Sequence, residues 1–449
     1  MPEREISFEP PRGSEHLIKA LPKHKSYNPV QHVLRLLKPA YGLRDAPKAW
    51  RTALDRCLKQ HKLHQLPTDA GLYVGYCPKG NVNLVLSCHV DDLKIAAEAS
   101  AYSALKVALE TSFGKLTEKC AYKSALEHCG IIHRQLEDFT ISLDQKHYAE
   151  QLNPAQIPAA LVSTPEARLD PGLLGTYMSL LGGAAWMVQT RPDVCVYIQA
   201  LQRATHVATV GHLQRLNKIV RYLRRRPSAL YYPQFTTSSL KIICVSDSAF
   251  RVETSACLAM RGAVIGLCED LPGKPGGVVH TLEYYSRRQR KVTRSTFAAE
   301  TMSLADGIEC SRVIAMTYTA IKYPHENMAQ LIRREETGTG HLQLHGVVDC
   351  KSLFDHLASD ELRVPSESSL ILVLSGLKEQ LASFNLRTLW WIMTGCMVAD
   401  GLNKGLVSRR ALREYAEFGR WEAKGEMRKH SETTHRPIAS AAEMFSSPS

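Results

Sequence analysis

Two adjacent carboxylates, Asp91 and Asp92, interrupt a regular apolar pattern. The alternation of apolar residues over Asn81–Ala97 predicts two extended strands that bend at this pair. Tight hairpin turns favour Asn-Gly or Asp-Gly because their central residues need positive φ, and neighbouring carboxylates also repel each other. The pair is therefore either an acidic, solvated turn or a paired site that holds a divalent cation against a phosphate chain.

Two of four further candidate acids belong to predicted strands. Asp247 is in phase with the apolar residues of Lys241–Phe250, and Asp349 is the last residue of Leu342–Asp349. Taken alone, Asp349 could be a helix cap. A carboxylate that faces an apolar interior is unfavourable unless a positive group compensates it, which makes both positions unusual for residues with a structural role.

The other two acids belong to predicted helices. Ser295–Ile314 is predicted to be helical with Glu300 on its apolar stripe, and Asp400 stands where a helix could begin after an apolar segment. Taken alone, Glu300 could be a tilted surface residue and Asp400 a helix cap. Taken together, four carboxylates at strand ends and on one helix face are what two magnesium ions require.

Basic residues form two clusters in the sequence. The net charge of +12 and the isoelectric point near 9.1 favour a polyanionic partner, most simply nucleic acid. His212–Arg226 predicts an amphipathic helix with a basic outer face, and a second basic run precedes the Glu300 helix. Each cluster is either a solvated surface or one that binds phosphates. The candidate nucleic-acid-binding residues are Arg215, Lys218, Arg221, Arg224, Arg225, Arg287, Arg288, Arg290 and Lys291.

Three segments of the first 160 residues resemble the reverse transcriptase of copia-type retrotransposons. Lys38–Trp50, KPAYGLRDAPKAW, resembles the motif that packs under the incoming nucleotide, and His89–Asp92, HVDD, resembles the Tyr-Val-Asp-Asp motif. Gly130–Leu152 resembles the segment that follows the palm. The motifs occur in the family's order and at roughly its spacing. The resemblance implies that Asp91 and Asp92 are catalytic and bind metal.

Two departures from that family affect the expected activity. His89 stands in place of the family's tyrosine, and the third metal-binding acid, which comes from an earlier strand, has no counterpart because the first aspartate of the chain is Asp45. Polymerase chemistry needs both metal ions held. We therefore expect a truncated palm that polymerises poorly or not at all, unless a second subunit supplies the absent strand.

Residues 236–420 resemble the copia-type ribonuclease H, whose four acids match Asp247, Glu300 in STFAAETMSLA, Asp349 in VVDCKS and Asp400 in VADGLNK. The resemblance implies a mixed five-stranded sheet flanked by helices, two Mg²⁺ ions, and hydrolysis of the RNA in an RNA–DNA hybrid. Asp247 would bridge both ions, Asp400 would help hold the one that carries the attacking water, and Glu300 and Asp349 the other.

The ribonuclease likeness also has a departure. The family often carries a Lys-His-Ile stretch after the third acid, and related ribonucleases use a loop histidine to help release product. This chain has no histidine between His356 and His430. Intact metal binding with slower turnover is therefore expected.

The resulting α/β organisation is the C-terminal part of a copia-like Pol polyprotein. We expect a partial reverse-transcriptase fingers and palm at 1–160, a mainly helical thumb or connection at 161–235, a ribonuclease H-like domain at 236–425 and a disordered tail at 426–449. The twelve cysteines show no CxxC spacing, and no apolar run approaches 18 residues, which favours an intracellular protein with reduced thiols and no membrane partner. Cytoplasm and nucleus are not distinguished.

Two alternatives stay open at this point. A decayed or domesticated copy would bind nucleic acid without cutting it. A DNA strand-transferring integrase with the same fold is less favoured, because integrases commonly use three acids.

Overall fold

The computed structural model describes residues 7–37, 40, 42–250, 259–361 and 364–431. The chain divides into two compact units, Met1–Thr117 and Glu118–Ser449. Lys38, Pro39 and Tyr41 of the predicted nucleotide-packing motif lie outside the described residues, as does the predicted tail from residue 432 onward.

The first unit contains two long helices, several short elements and a four-stranded sheet. Its elements are β1 (Ser7–Phe8), α1 (Glu15–Lys19), a 3-10 helix (Pro22–His24), β2 (Leu34–Arg35), α2 (Ala46–Gln60), β3 (His64–Gln65), β4 (Leu72–Tyr76), β5 (Val82–His89), β6 (Asp92–Ala97) and α3 (Ala99–Phe113).

The sheet of the first unit is antiparallel throughout, in the order β3-β4-β5-β6. Helix α2 has Pro47 in its first turn, where the missing amide hydrogen is not needed. Its Leu54 and Leu58 are fully buried and share a core with Leu86 of β5 and Leu109 of α3. The alternating pattern of 81–97 thus forms the predicted hairpin, with one face against this core.

The second unit contains two sheets. Its strands are β7 (Leu126–His128), β8 (Ile131–Gln135), β9 (Ile141–Asp144), β10 (Ala229–Tyr232), β11 (Leu240–Ala249), β12 (Met260–Glu269), β13 (Gly277–Arg288), β14 (Gln343–Val348), β15 (Thr388–Ile392), β16 (Arg420–Trp421) and β17 (Met427–His430).

The second unit also contains helices. They are α4 (Lys146–Gln151), α5 (Ala159–Val162), α6 (Pro171–Trp186), α7 (Cys195–Arg203), α8 (Val210–Arg225), α9 (Thr296–Lys322), α10 (Met328–Glu336), α11 (Lys351–Ala358), α12 (Ile371–Ala382), α13 (Asp400–Asn403) and α14 (Arg410–Phe418). Short 3-10 helices cover Met187–Gln189, Pro192–Val194, Thr205–Val207, Ser368–Leu370 and Thr394–Cys396.

The larger sheet has seven strands in the order β16-β13-β12-β11-β14-β15-β17. Strand β12 is antiparallel to both β11 and β13, whereas β11, β14 and β15 run parallel. The central strand β11 is buried on both faces, which explains its continuous apolar run, Ile242–Val245. The five central strands form a mixed sheet, and short β16 and β17 extend it at its two edges.

Helices cover both faces of this sheet. Residues of α9, α11 and α12 share one core with Ile242 and Cys244, and residues of α13 and α14 share the other with Ile243 and Val245. The alternation along β11 therefore assigns even-numbered and odd-numbered side chains to opposite layers. Asp247 follows the odd-numbered set.

The basic helix α8 forms close to its predicted limits. Leu213, Leu216, Val220 and Leu223 are fully buried as its inner face, and helices α6 and α7 pack on the same core. The Thr-Arg-Pro-Asp segment before α7 is held by Arg191, which donates two hydrogen bonds of 2.9 Å to Asp193.

The domain division drawn at residue 160 differs from the structural division at Thr117/Glu118. Strand β9 pairs with β10, which follows α8 in the chain, and α4 packs on α8 through Ala149 and Leu152. Residues 118–160 therefore belong with the second unit, because β9 finds its hydrogen-bonding partner there.

The prediction of a disordered tail from residue 426 is wrong for its first residues. Met427–His430 forms β17, antiparallel to β15, and covers what would otherwise be an open edge of the sheet. Arg428 and Lys429 lie over the rings of Trp391 and Trp390, at 5.9 and 5.7 Å from the ring centres. The composition of the segment is polar, but backbone pairing and ring contacts decide its structure.

Two composition-based expectations can be compared with the described residues. Every cysteine in them is unpaired. None of their helices combines the length and the apolar composition that a bilayer-spanning segment needs.

Candidate metal centre and nucleic-acid surfaces

Three of the predicted acids meet at one edge of the seven-stranded sheet. Asp247, Asp349 and Asp400 each direct a carboxylate oxygen to a common point, with these oxygens within 4.8 Å of one another. Asp247 is only 1% exposed, and the other two are half-buried. Residues 153 positions apart in the sequence thus form one cluster of negative charge.

The register of the parallel strands places the first two acids side by side. Val245 of β11 pairs with Val347 of β14, and Asp247 and Asp349 each follow two residues later. Neighbouring strands lie about 4.8 Å apart, so the two side chains project from adjacent positions at the same edge. The indole of Trp391 donates a 2.8 Å hydrogen bond to the backbone carbonyl of Asp349, which fixes the chain where β14 ends.

Asp400 reaches the cluster because α13 packs tightly on β12. Gly262 is the residue of β12 that pairs with Asp247, and a Cβ atom there would lie 2.8 Å from the Cβ of Leu402. Only hydrogen fits at that position, because no side-chain carbon tolerates so short a contact. Asp400 is the first residue of α13, as predicted.

Glu300 joins the cluster from α9, a helix predicted from Ser295 onward and capped by Ser295. Its Oε1 accepts a 3.1 Å hydrogen bond from the backbone amide of Ser248, next to Asp247. A second close-approach glycine permits this packing, since a Cβ at Gly307 would lie 2.6 Å from the sulfur of Cys244. Glu300 is 3% exposed, and its Oε2 has no hydrogen-bond partner.

Lys404 and Asn403 supply the positive side of the cluster. The Lys404 ammonium lies 2.9 Å from Oδ2 of Asp247 and also contacts the carboxylate of Asp400. The Asn403 amide donates a 2.7 Å hydrogen bond to the same Oδ2. Oδ2 of Asp247 therefore has two donors, Lys404 and Asn403.

Asp247, Glu300 and Asp349 hold protons more tightly than ordinary carboxylates. Burial, with the charge of Asp349 added, raises the pKa of Asp247 to about 7, although Lys404 opposes the shift. Burial and the charge of Asp247 raise the pKa of Glu300 to about 11. Burial also raises the pKa of Asp349, against a hydrogen bond from Thr394. Each shift has the direction expected for carboxylates crowded in a poorly solvated place.

The donor set suits a hard divalent cation. Carboxylate oxygens are the ligands that Mg²⁺ prefers, and the three aspartates converge while Glu300 keeps a buried oxygen without a partner. A cation bound among them would offset the mutual repulsion of these carboxylates. The residues present therefore fit a magnesium site.

The other predicted acid pair lies in the first unit. Strands β5 and β6 are joined by Val90 and Asp91, with His89 paired to Asp92, so the turn lies one residue earlier than the predicted bend at Asp91-Asp92. Both aspartates are exposed. Within the described residues, the clustering of at least three potential ligands occurs only at Asp247, Asp349 and Asp400, so no third carboxylate joins this pair there.

The turn itself is strained at Val90. Its φ of 55° is in the left-handed region, which β-branched residues avoid. The indole of Trp50, from the preceding motif, donates a 2.8 Å hydrogen bond to the Val90 carbonyl and so holds the turn in place. The two sequence motifs are thus physically joined, through a contact that the sequence analysis did not anticipate.

The predicted basic residues lie at the surface of the second unit. All nine are exposed. Arg287 and Arg288 are the last residues of β13 rather than members of a loop, and Arg290 and Lys291 lie in the connection that leads to α9. Tyr284 and Tyr285 also belong to β13. The basic run therefore leads directly to the helix that carries Glu300.

Sequence reasoning missed the roles of Asn403 and Lys404. Lys404 follows Asp400 by four residues, a spacing that lets opposite charges meet at a helix end. That spacing was a usable signal for the Asp400 contact. The contact with Asp247 had none, because it depends on the packing of α13 against the sheet.

Comparison with known proteins gives a consistent set of matches. Residues 14–157 match the reverse transcriptase (RNA-dependent DNA polymerase) family. The Pol polyproteins of transposons RE1 and RE2 of Arabidopsis thaliana are 23% and 25% identical over 290 and 293 residues, which cover 61% of this chain. A putative transposon Ty5-1 protein of Saccharomyces cerevisiae is 25% identical over 260 residues, covering 56% of this chain and 79% of that protein.

The aligned residues cover different fractions of the matched proteins. The aligned part spans 18% of each Arabidopsis polyprotein, so this chain corresponds to a limited portion of those relatives. No solved structure gives a significant match. The family match covers most of the first 160 residues. The chain is thus similar to the retrovirus-related Pol polyproteins of transposons RE1 and RE2, and its residues 14–157 match the reverse transcriptase family.

Proposed function

We propose that residues 236–425 act as a magnesium-dependent ribonuclease H-type hydrolase that cuts the RNA strand of an RNA–DNA hybrid. The observation that carries the proposal is the convergence of Asp247, Asp349 and Asp400 within 4.8 Å, with Glu300 buried beside them. The mixed sheet of five central strands with helices on both faces agrees with the fold that the resemblance implies.

The residues of this chain would divide the work as follows. Asp247, Glu300, Asp349 and Asp400 hold the cation, and two ions are the number that the resemblance implies. Bound Mg²⁺ would supply an activated water and stabilise the charge that develops on the phosphate. Arg287, Arg290 and Lys291 would contact the phosphate backbone next to the site, and contacts to 2′-hydroxyls would distinguish RNA from DNA.

The proposal is tested with the full chain and Asp349→Asn. Labelled RNA–DNA hybrid, double-stranded RNA and double-stranded DNA are each incubated with Mg²⁺, and the products are separated by length. We expect the unmutated chain to cut only the RNA of the hybrid. Asp349→Asn should lower the cleavage rate by about 100-fold or more with unchanged hybrid affinity, since it removes a ligand worth several kcal/mol of transition-state stabilisation.

A matched control is Asp355→Asn, which makes the same chemical change at an exposed position of α11. It should cleave at the rate of the unmutated chain. Hybrid binding without any cleavage by the unmutated chain would contradict the proposal and favour the alternative, a non-catalytic nucleic-acid-binding protein.

We also propose that the polymerase half of this chain is inactive. The support is that Asp91 and Asp92 are exposed, and that no third carboxylate joins them in the described part of the chain. Primer extension on an RNA template with Mg²⁺ and deoxynucleotides should give no product above that of Asp91→Asn/Asp92→Asn. Extension by the unmutated chain that the double variant lacks would show that the two acids suffice.

A further inference from the structure

The Lys404 ammonium lies in the acidic cluster at a position that a metal cation could occupy. It contacts Asp247 at 2.9 Å and Asp400 as well, so it bridges two of the three converging aspartates. The side chain is 30% exposed, whereas that of Asp247 is 1% exposed. The charged end of Lys404 is thus in the cluster while part of its stem faces solvent.

The neighbouring residue Asn403 stabilises this arrangement. It is fully buried and donates to the same Asp247 oxygen that Lys404 contacts. Asp400 and Lys404 are also linked through the backbone, because Asp400 begins the single turn of α13 and Lys404 follows its last residue.

We propose that the Lys404 ammonium fills the cation position shared by Asp247 and Asp400, so that the nucleic-acid-free protein takes up one divalent ion at the cluster and a second only in competition with this lysine. The inference rests on the proposed function, because it concerns the same metal centre. Lys404 then acts as an internal counter-ion that lowers the affinity of the cluster for one of the two metal ions.

Charge balance supports the competition. When metal binding has ionised all four carboxylates, they carry four negative charges, and Lys404 with one divalent ion cancels three of them. A second divalent ion with Lys404 still in place would leave the cluster positive, and like charges at such short range repel strongly in a poorly solvated site. The phosphate of a bound hybrid would restore the balance. Lys404 thus couples binding of the second ion to binding of substrate.

The oxygens that Lys404 does not contact indicate where the first ion would be held. Glu300 keeps a buried Oε2 without a partner, and Asp349 has no contact with Lys404 among the ion pairs of the described residues. Both acids lie beside Asp247. The lysine and the first ion therefore need not exclude each other.

The test is a titration of the full chain with Mn²⁺ by isothermal calorimetry, without nucleic acid. The variants are Lys404→Met, which removes the charge and keeps the length, and Lys404→Arg, which keeps the charge. The control is Lys322→Met, an exposed lysine at the last position of α9, 22 residues and about 33 Å along that helix from Glu300.

Over the Mn²⁺ concentration range in which Lys404→Met binds two ions, the unmutated chain, Lys404→Arg and Lys322→Met should each bind one. Lys404→Met should bind its second ion at least about tenfold more tightly than the unmutated chain does. The melting temperature of Lys404→Met in EDTA should be lower, and its rise on addition of Mn²⁺ should be larger. Equal stoichiometry and affinity in all four proteins would overturn the inference.

A second measurement needs no variant. Acetylation of Lys404 by an amine-reactive ester, quantified by mass spectrometry, should be slow in EDTA and several-fold faster at saturating Mn²⁺, with Lys322 as the internal reference. The same Lys404 rate in both conditions would overturn the inference. If the unmutated chain cleaves hybrid but these measurements fail, only the inference about Lys404 is wrong; if it binds no Mn²⁺ at all, the metal centre fails with it.

Discussion

A carboxylate that is removed from water needs either a positive partner or a proton, and single residues of this chain show both solutions. Asp193 is 4% exposed, and although burial opposes the shift, the guanidinium of Arg191 lowers its pKa. Glu335 of α10 is 6% exposed and has only a 3.4 Å hydrogen bond from the Thr319 hydroxyl, so burial raises its pKa to about 7. Burial alone therefore does not decide the protonation state.

The raised pKa of Glu335 predicts a pH-dependent stability. In the unfolded chain its pKa is near 4.5, so the folded protein binds this proton more tightly. The stabilisation is complete below pH 4.5 and is lost as the pH rises through 7. Glu335→Gln should therefore stabilise the protein at pH 8, by up to about 3 kcal/mol, and change little at pH 4.5.

Urea denaturation at several pH values measures this effect. Glu336→Gln provides the control, because Glu336 is the adjacent residue and is exposed. It should leave the pH profile unchanged. A Glu335→Gln variant that gains nothing between pH 5 and pH 8 would mean that Glu335 is already ionised at low cost.

At the scale of elements, two glycines set the distances at which helices pack on the central sheet. Gly262 lets α13 approach β12, and Gly307 lets α9 approach β11. Both helices carry an acid of the cluster, Asp400 and Glu300. The glycines thus act on the site by allowing close packing, although neither has a side chain to contribute.

Gly262→Ala should therefore displace α13 and weaken the cluster. Its Cβ would lie 2.8 Å from Leu402 and 3.1 Å from the carbonyl of Ala399, and overpacking of this kind destabilises a protein by about 1–3 kcal/mol. Thermal unfolding should show a lower melting temperature, and Mn²⁺ should bind more weakly. Gly376→Ala in α12, where the Cβ meets nothing within 4 Å, should instead be neutral or stabilise the helix by about 1 kcal/mol.

Comparison of the two variants separates the effect of close packing from the effect of replacing glycine by alanine. Both replace a glycine by alanine in a regular element of the second unit. If Gly262→Ala retained the stability and the Mn²⁺ affinity of the unmutated chain, α13 would have room to move and Asp400 would not depend on that contact.

At the scale of the whole molecule, the positive charge is organised rather than spread evenly. The net charge is +12, yet the second unit gathers four carboxylates in one cluster and carries exposed cations along the outer face of α8 and at the end of β13. A polyanion would be attracted to the basic surfaces, while the acidic cluster needs a cation before a phosphate can approach. Binding and cutting should therefore respond differently to salt and to divalent ions.

Hybrid binding should depend on salt through α8. Lys218→Gln/Arg221→Gln should weaken binding and reduce the slope of log Kd against log salt by about 2, measured between about 50 and 200 mM NaCl by fluorescence anisotropy. The control is Lys322→Gln/Arg333→Gln, which removes two exposed charges from α9 and α10. An equal change of slope in both double variants would assign the effect to net charge and not to α8.

Local patterns of the sequence were sufficient for the elements that carry the candidate residues. The apolar alternation gave β11 with Asp247 in phase, the serine cap gave the start of α9, and the apolar face gave α8 almost to the residue, because these signals act within one or two turns of the chain. The same kind of reasoning failed for Met427–His430. A polar segment becomes a strand when an open sheet edge is available, and no local signal reports that edge.

What the sequence determined by itself is therefore the set of chemical groups, their order and the local elements that carry them. Only the tertiary structure decided which groups meet: the β11–β14 register brings Asp247 beside Asp349, and close packing at Gly262 brings Asp400 and Lys404 to the same carboxylate. It also left Asp91 and Asp92 without a third acid among the described residues. The physical reason is that charge interactions depend on distance in space and on burial, and both arise from contacts between segments far apart in the chain.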